Sequence, residues 1–210
     1  MAAKRTRKAK KEGEELKLFG KWSCEVEVRD LGLKRYITLT PRLFPKSSGV
    51  YAKHRFYKSK AHIVERLITH LMQPGHVGKR HRRTSGHMGG AFQRAAKIVE
   101  RAFELIEQET KRNPVEVFIR ALENAAPCEE VVGYQVGGII ARLPVVISPQ
   151  RRIDKALRAF VQGSYAAALN KKLRIHEALA KELMAAANNS TESFAIRERQ
   201  RLEQEADGAR

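Results

Sequence analysis

The sequence predicts a mainly α-helical fold, a bundle of about six helices with one protruding β-hairpin and an extended basic N-terminal arm. Three observations predict it: apolar residues recur at helical spacing after residue 59, Gly137-Gly138 divides a β-branched segment, and residues 4–11 hold six basic and no large apolar side chains. The predicted domains are a basic arm, 1–58, and a helical domain, 59–210, that includes a hairpin at 129–147.

The helices are predicted from apolar periodicity and from their start and stop signals. In the segment 91–111, one face carries Phe92, Ala96, Val99, Phe103 and Ile106, which predicts a core helix. Asn113 as N-cap and Pro114 at the first position begin the next helix. The predicted helices are 59–73, 91–111, 114–126, 149–169, 173–187 and a polar last helix to about residue 206.

The charge distribution points to a polyanionic partner. The chain holds 41 Lys or Arg against 23 Asp or Glu, a formal net charge of +18. Residues 1–90 carry +15 and residues 131–175 carry +7, whereas 91–130 and 176–210 carry −2 each. Such a basic protein most often binds nucleic acid, and a membrane surface is the second possibility. The apolar runs are too short for a transmembrane helix, and the N-terminus does not resemble a secretory signal.

The segment from Pro149 predicts a phosphate-binding helix face. Helical spacing places a basic stripe opposite an apolar stripe, and Asp154 is the one acid of the segment. A merely solvated face usually mixes charge signs, whereas this stripe is expected to have almost no acidic partners, so we favour phosphate contact. The basic stripe comprises Arg151, Lys155, Arg158 and Gln162, and the apolar stripe Ile153, Leu157, Phe160 and Ser164.

Further basic residues are predicted to contact an RNA backbone. The loop 74–90 has five glycines and no acid, its glycine spacing does not match a nucleotide-binding P-loop, and its histidines lack helper ligands for zinc. The candidates are Lys4, Arg5, Arg7, Lys8, Lys10 and Lys11 in the arm, Lys79, Arg80, Arg82 and Arg83 in the loop, and Lys171 and Lys172 after the basic helix.

Catalysis is not predicted, and neither is a cofactor, a metal or a small-molecule substrate. The sequence lacks the short hydrolase, metalloprotease and dinucleotide-binding motifs, and Cys24 and Cys128 are interpreted as structural residues in a reducing cytosol. A DNA-binding helix-turn-helix is a competing interpretation of residues 91–126. Its second helix would be net acidic, which is unfavourable in a major groove. RNA fits the scattered basic segments better.

Three segments resemble the universal small-subunit ribosomal protein seven family. They are NPVEVFIRALENAAPCEEV at 113–131, VGGIIARLPVVISPQRR at 136–152 and ALRAFVQG at 156–163. The similarity covers roughly residues 59–206, and the long arm and loop are similar to archaeal or eukaryotic members. The resemblance implies a six-helix bundle with a β-ribbon, in agreement with the periodicity.

The resemblance also implies site residues. It assigns rRNA contact to Lys58, Lys60 and His62 at the entrance of the first helix and to Arg151, Arg152, Lys155 and Arg158 on the basic helix. The ribbon tip corresponds to Val136, Gly137 and Gly138, together with the neighbouring Tyr134, Gln135 and Arg142. Where bacterial members often have Arg-Arg before the tip, this chain has Tyr134-Gln135, so a tip contact here would be less electrostatic.

The implied role is a cytoplasmic, non-enzymatic ribosomal protein. It would bind the 3′ major domain of 16S rRNA and nucleate assembly of the small-subunit head. Its ribbon would lie near the exit-site tRNA and the mRNA path, beside the eleventh small-subunit protein. The alternative is an architectural DNA- or RNA-binding protein outside the ribosome, and an RNA-modifying enzyme ranks third.

Overall fold

A computed structural model describes residues 16–75 and 87–210 of the chain. Within those residues it contains seven α-helices, two short 3₁₀ turns and one two-stranded antiparallel sheet, so the predicted fold class is confirmed. None of the described helices has the length and apolar composition needed to span a bilayer. In chain order the elements are α1 (Leu31–Lys34), 3₁₀ turns at Val50–Lys53 and Tyr57–Lys60, α2 (Ile63–Leu71), α3 (Phe92–Thr110), α4 (Pro114–Ala125), β1 (Glu129–Val136), β2 (Ile139–Val146), α5 (Pro149–Ala168), α6 (Ile175–Ala187) and α7 (Phe194–Asp207).

Helices α3, α4 and α5 all pack against α6, and their apolar faces form the core. The predicted face of α3 is confirmed: Ala96, Val99, Phe103 and Ile106 are buried, and Phe92 is partly buried against them. The centre of the core holds three phenylalanines, with Phe103 and Phe118 rings 6.0 Å apart. Helices α3, α4, α5 and α6 begin and end within about two residues of their predicted positions.

Residues 16–58 have little regular structure, and several of their side chains enter the core of the helical domain. Trp22 is 3% exposed, lies 5.7 Å from the ring of Phe103 and donates its Nε1–H to Glu107 at 2.9 Å. The side-chain amide of Asn113 donates to the carbonyl of Ser23 at 2.9 Å. The core of the helical domain thus includes residues on both sides of residue 58. The predicted domain division at that residue stays a prediction. The buried side chains of the segment are Leu18, Trp22, Cys24, Val28, Leu33 and Ile37.

The hairpin is confirmed and packs on α7 at its base. Its register pairs Glu129 with Val146 and Val136 with Ile139, and the turn between the strands is Gly137-Gly138. Gly137 has φ +60°, a conformation that glycine adopts without the steric cost of a Cβ. Because the sheet has only two strands, Pro144 can lie in β2 without breaking an interior ladder.

Candidate nucleic-acid interface

Helix α5 presents its basic stripe away from the core, as the sequence predicted. Ile153, Leu157 and Phe160 are completely buried, whereas Arg151 and Arg158 are exposed. Pro149 occupies the first turn, where the missing N–H would have no helical partner. The helical spacing of the apolar and basic residues is thus sufficient to place these cations on the solvent-exposed face.

The expectation that this stripe has almost no acidic partners is wrong. Glu130, at the base of the hairpin, accepts from Arg151 Nε at 2.7 Å and lies 2.5 Å from Lys155 Nζ. Burial alone would raise the pKa of Glu130, but the hydrogen bonds from both cations outweigh it and lower that pKa. Arg158 has no ion-pair partner among the described residues.

Arg152, for which the resemblance implies rRNA contact, makes contacts within the protein, and its rRNA contact stays a prediction. Its guanidinium lies 3.2 Å from Asp30 Oδ2 and donates to the carbonyl of Pro127 at 3.1 Å. Its side chain is only 15% exposed. Arg152 therefore joins α1, the start of the hairpin and α5, and little of its charge is available to an external phosphate.

A groove runs between α5 and the segment that precedes α2. Its volume is about 650 Å³. One wall carries Arg151, Lys155 and Arg158, and the other carries Arg55 and Phe56. The remaining lining residues are Tyr36, Ser148, Pro149, Gln150 and Asp154.

Asp154, the one acid that lines this groove, is neutralised by its own contacts. Its carboxylate accepts from Arg66 at 2.9 Å and from Lys58, and His70 Nε2 lies 3.8 Å away. Burial alone would raise the pKa of Asp154, but the nearby His70 and the hydrogen bonds from Lys58 and Arg66 keep it well below its ordinary value. Arg66 also donates to the carbonyl of Tyr36 at 3.2 Å. Asp154 thus ties α5 to α2 and to the segment that precedes α2.

The three basic candidates before α2 have different positions. Lys58 is half-exposed and pairs with Asp154, and Lys60 Nζ lies 3.5 Å from the ring centre of Tyr57 at the surface. His62 is only 1% exposed, so little of its side chain is open to RNA, and its rRNA contact stays a prediction. Its Nδ1 accepts from the backbone N–H of Val64 and thereby caps α2. Burial, and then the charge of Arg42, lower the pKa of His62 to about 4.

Several other predicted contacts are exposed or lie outside the described residues. Lys171 and Lys172 are exposed in the turn between α5 and α6. The predicted residues outside the described part of the chain are Lys4, Arg5, Arg7, Lys8, Lys10, Lys11, Lys79, Arg80, Arg82 and Arg83.

The hairpin tip presents polar and apolar groups to solvent. Gln135 donates its side-chain amide to the carbonyl of Gly137 at 3.2 Å, Tyr134 pairs with Ala141 across the ladder, and Arg142 is exposed. Ile139 and Ile140 are 75% and 72% exposed. An exposed apolar surface of this kind is typical of a segment that meets a partner.

Sequence reasoning did not identify Arg55, Phe56 or Glu130 as parts of this surface. Phe56 and Arg55 lie in KHRFYKSK, where two aromatic residues stand among basic ones, and that pattern is a usable signal for RNA contact. Glu130 had no comparable signal, because its meeting with Arg151 depends on how the hairpin leaves the bundle.

Comparison with known proteins decides the family. The family described as ribosomal protein S7p/S5e matches residues 33–210. A relative from Nanoarchaeum equitans, small ribosomal subunit protein uS7, is 48% identical over 198 residues, which is 93% of this chain and 99% of the relative. The chain belongs to the ribosomal protein S7p/S5e family.

Membership in the S7p/S5e family confirms the resemblance seen in the sequence, including its archaeal character. The protein is a structural, non-enzymatic component of the small ribosomal subunit that acts in translation in the cytoplasm. The match begins at residue 33, within α1, and includes all the later elements. The cationic groove therefore lies entirely within the matched part of the chain.

Proposed function

We propose that this protein binds the 3′ major domain of 16S rRNA through the groove between α5 and the segment before α2, and that this contact nucleates assembly of the small-subunit head. The observation that carries the proposal is the convergence of four cations, Arg55, Arg151, Lys155 and Arg158, on one groove. The acid that lines the groove, Asp154, already has cationic partners.

The energetic basis of this binding is the release of counterions from RNA. Each phosphate that meets a Lys or Arg frees condensed cations, so a groove with several cations gains affinity without reading sequence. The contacts of Arg151 and Lys155 with Glu130 do not prevent this. Arg151 is 59% exposed, so its pair with Glu130 is partly solvated and contributes about 1 kcal/mol, whereas Lys155 and Glu130 are only 21% and 15% exposed. A phosphate in the groove can therefore compete with Glu130 for Arg151.

The second part of the proposal concerns the hairpin, which we assign to the exit-site tRNA, the mRNA path and the neighbouring eleventh small-subunit protein. The exposed apolar side chains of β2 and the exposed Tyr134 support a macromolecular neighbour. The tip lies beyond the contacts that fix the hairpin base, where Arg210 pairs with Glu129 and Glu203 accepts from the backbone N–H of Cys128.

The rRNA proposal is tested with a triple variant of the groove, Arg151→Gln, Lys155→Gln and Arg158→Gln. Its affinity for a 3′ major domain fragment should fall at least tenfold, about 1.4 kcal/mol. Thermal stability should change little, because these side chains face away from the core. A control variant, Arg112→Gln, Lys181→Gln and Arg197→Gln, removes the same charge from exposed positions outside the groove and should lose less than threefold.

Two results would contradict the proposal. Equal losses in the groove and control variants would mean that only total charge matters. Equal affinity of the wild-type protein for the 3′ major domain, for another 16S fragment of the same length and for duplex DNA would favour the architectural alternative.

The hairpin assignment is tested by replacing residues 134–141 with a short Gly-Ser turn. Since the base contacts of Glu129 and Cys128 remain, folding and rRNA affinity should stay within about twofold. In assembled subunits the variant should alter retention of exit-site tRNA or crosslinks to the mRNA. Normal tRNA and mRNA behaviour combined with lost rRNA affinity would show that the hairpin is an rRNA anchor.

A further inference from the structure

Phe56 stands out on the groove because it is 77% exposed, more than any other Phe, Tyr or Trp in the described residues. Its backbone has φ +63°, an uncommon conformation for a residue with a side chain. The turn that follows holds this conformation, since Ser59 donates both its N–H and its hydroxyl to the carbonyl of Phe56. A strained residue that displays a large apolar ring to solvent is typical of a ligand contact.

The surroundings of Phe56 are cationic. Arg55 precedes it on the same wall, and Arg151, Lys155 and Arg158 form the opposite wall. The volume of about 650 Å³ lies within the range of pockets that hold small ligands, so a nucleotide fits its size. An exposed ring beside several phosphate-binding cations matches the two parts of a nucleotide, its base and its phosphates.

We propose that this groove binds an unpaired nucleotide of RNA, with its base stacked on Phe56 and its flanking phosphates at Arg55 and the cations of α5. This inference rests on the proposed rRNA-binding function and names the RNA feature that the groove takes. A duplex offers phosphates but keeps its base faces stacked inside the helix, so it would leave Phe56 without a contact. An unpaired base that is unstacked from its neighbours exposes an aromatic face that can stack on Phe56.

The test compares two RNA probes, a short single strand of mixed sequence and a blunt duplex with the same number of phosphates. Phe56→Ala in the full chain should weaken single-strand binding roughly tenfold and leave duplex binding within about twofold, because base stacking on an aromatic ring contributes about 1–3 kcal/mol. Phe56→Tyr keeps the ring and should bind like the wild type. Val50→Ala removes another exposed apolar side chain from the neighbouring turn and should change neither affinity.

The outcomes separate the nucleotide site from the rRNA-binding proposal on which it rests. Unchanged single-strand affinity in Phe56→Ala, or equal losses on both probes, would overturn it. Thermal unfolding of the variant checks that the loss does not come from misfolding. If Phe56→Ala is neutral while the triple groove variant still loses affinity for the 3′ major domain, the nucleotide site fails and the rRNA-binding proposal stands. If both variants are neutral, the rRNA-binding proposal fails too.

Discussion

At the scale of single residues, two acids contact cations of the same region in different ways. Asp154 is 19% exposed and holds Arg66, a side chain with 3% exposure, together with Lys58. Glu130 contacts Arg151 and Lys155, which belong to the RNA-facing stripe. Asp154 therefore maintains the shape of the groove, whereas Glu130 competes with phosphate for its cations.

Removing one negative charge should therefore change rRNA affinity in opposite directions at Asp154 and at Glu130. Asp154→Asn makes the protein more positive, yet it should lower rRNA affinity roughly fivefold, about 1 kcal/mol. It should also lower the free energy of unfolding by about 2 kcal/mol. Glu130→Gln should raise rRNA affinity roughly threefold, because Arg151 and Lys155 then meet phosphate without a competing carboxylate. Filter binding and urea unfolding measure both. Higher affinity in both variants would show that net charge alone controls binding.

The buried neutral His62 predicts a pH dependence of stability. Its pKa is about 4 in the folded protein, below the ordinary value of 6.5, so the unfolded chain binds the proton more readily. The contribution of His62 is fully present above pH 6.5 and declines as the pH falls toward 4, by roughly 3 kcal/mol at most. His62→Asn keeps an N-cap side chain and removes this titration. Urea unfolding at several pH values should show a flatter profile for the variant, and parallel profiles would contradict the prediction.

At the scale of elements, Gly163 shows how closely α5, α6 and α7 approach one another. A Cβ at Gly163 would lie 2.7 Å from the Cβ of Phe194 and 3.2 Å from the side chain of Glu182. Glu182 in turn accepts from the hydroxyl of Ser193 at 2.7 Å and from the N–H of Ala195 at 3.0 Å, which fixes the start of α7 on α6. The helices have no room to absorb an extra methyl group here.

Gly163→Ala is therefore expected to destabilise the protein by about 1–3 kcal/mol, the usual cost of overpacking a core. Gly138→Ala is the matched control, because a Cβ there meets no atom within 4 Å and the residue does not have a positive φ. The control should change stability by less than about 0.5 kcal/mol. Thermal unfolding compares the two variants. Similar small effects would mean that the helices separate easily at this contact.

At the scale of the whole molecule, the distribution of charge predicts how binding responds to salt. The net charge of +18 is concentrated in residues 1–90 and 131–175, and the described parts of both blocks supply the walls of the groove. The logarithm of the affinity for the 3′ major domain should fall linearly with the logarithm of salt concentration, with a slope of roughly −0.7 to −0.9 per phosphate contacted.

The triple groove variant should reduce this slope by the equivalent of two or three phosphates. The variant Phe56→Ala removes no charge, so its affinity should fall without a change in slope. A titration of fragment binding against potassium chloride measures both quantities. A wild-type affinity that does not change with salt would contradict the electrostatic account.

The sequence by itself determined the features that depend on neighbours along the chain. Helical spacing predicted the buried face of α3 and the outward basic face of α5, and Gly137-Gly138 predicted the hairpin turn. Residues 113–163 carried the family resemblance that the comparison confirmed. These features were predictable because period, caps and turns are set by residues a few positions apart.

Only the tertiary structure decided which side chains of the basic blocks are available to RNA. Arg152 meets Asp30 across 122 residues of sequence, and Arg66 meets Asp154 across 88. The resemblance assigned rRNA contact to His62, yet its side chain is buried and caps α2. Ion pairing and burial depend on which distant segments the fold brings together, and periodicity along one helix contains no information about them.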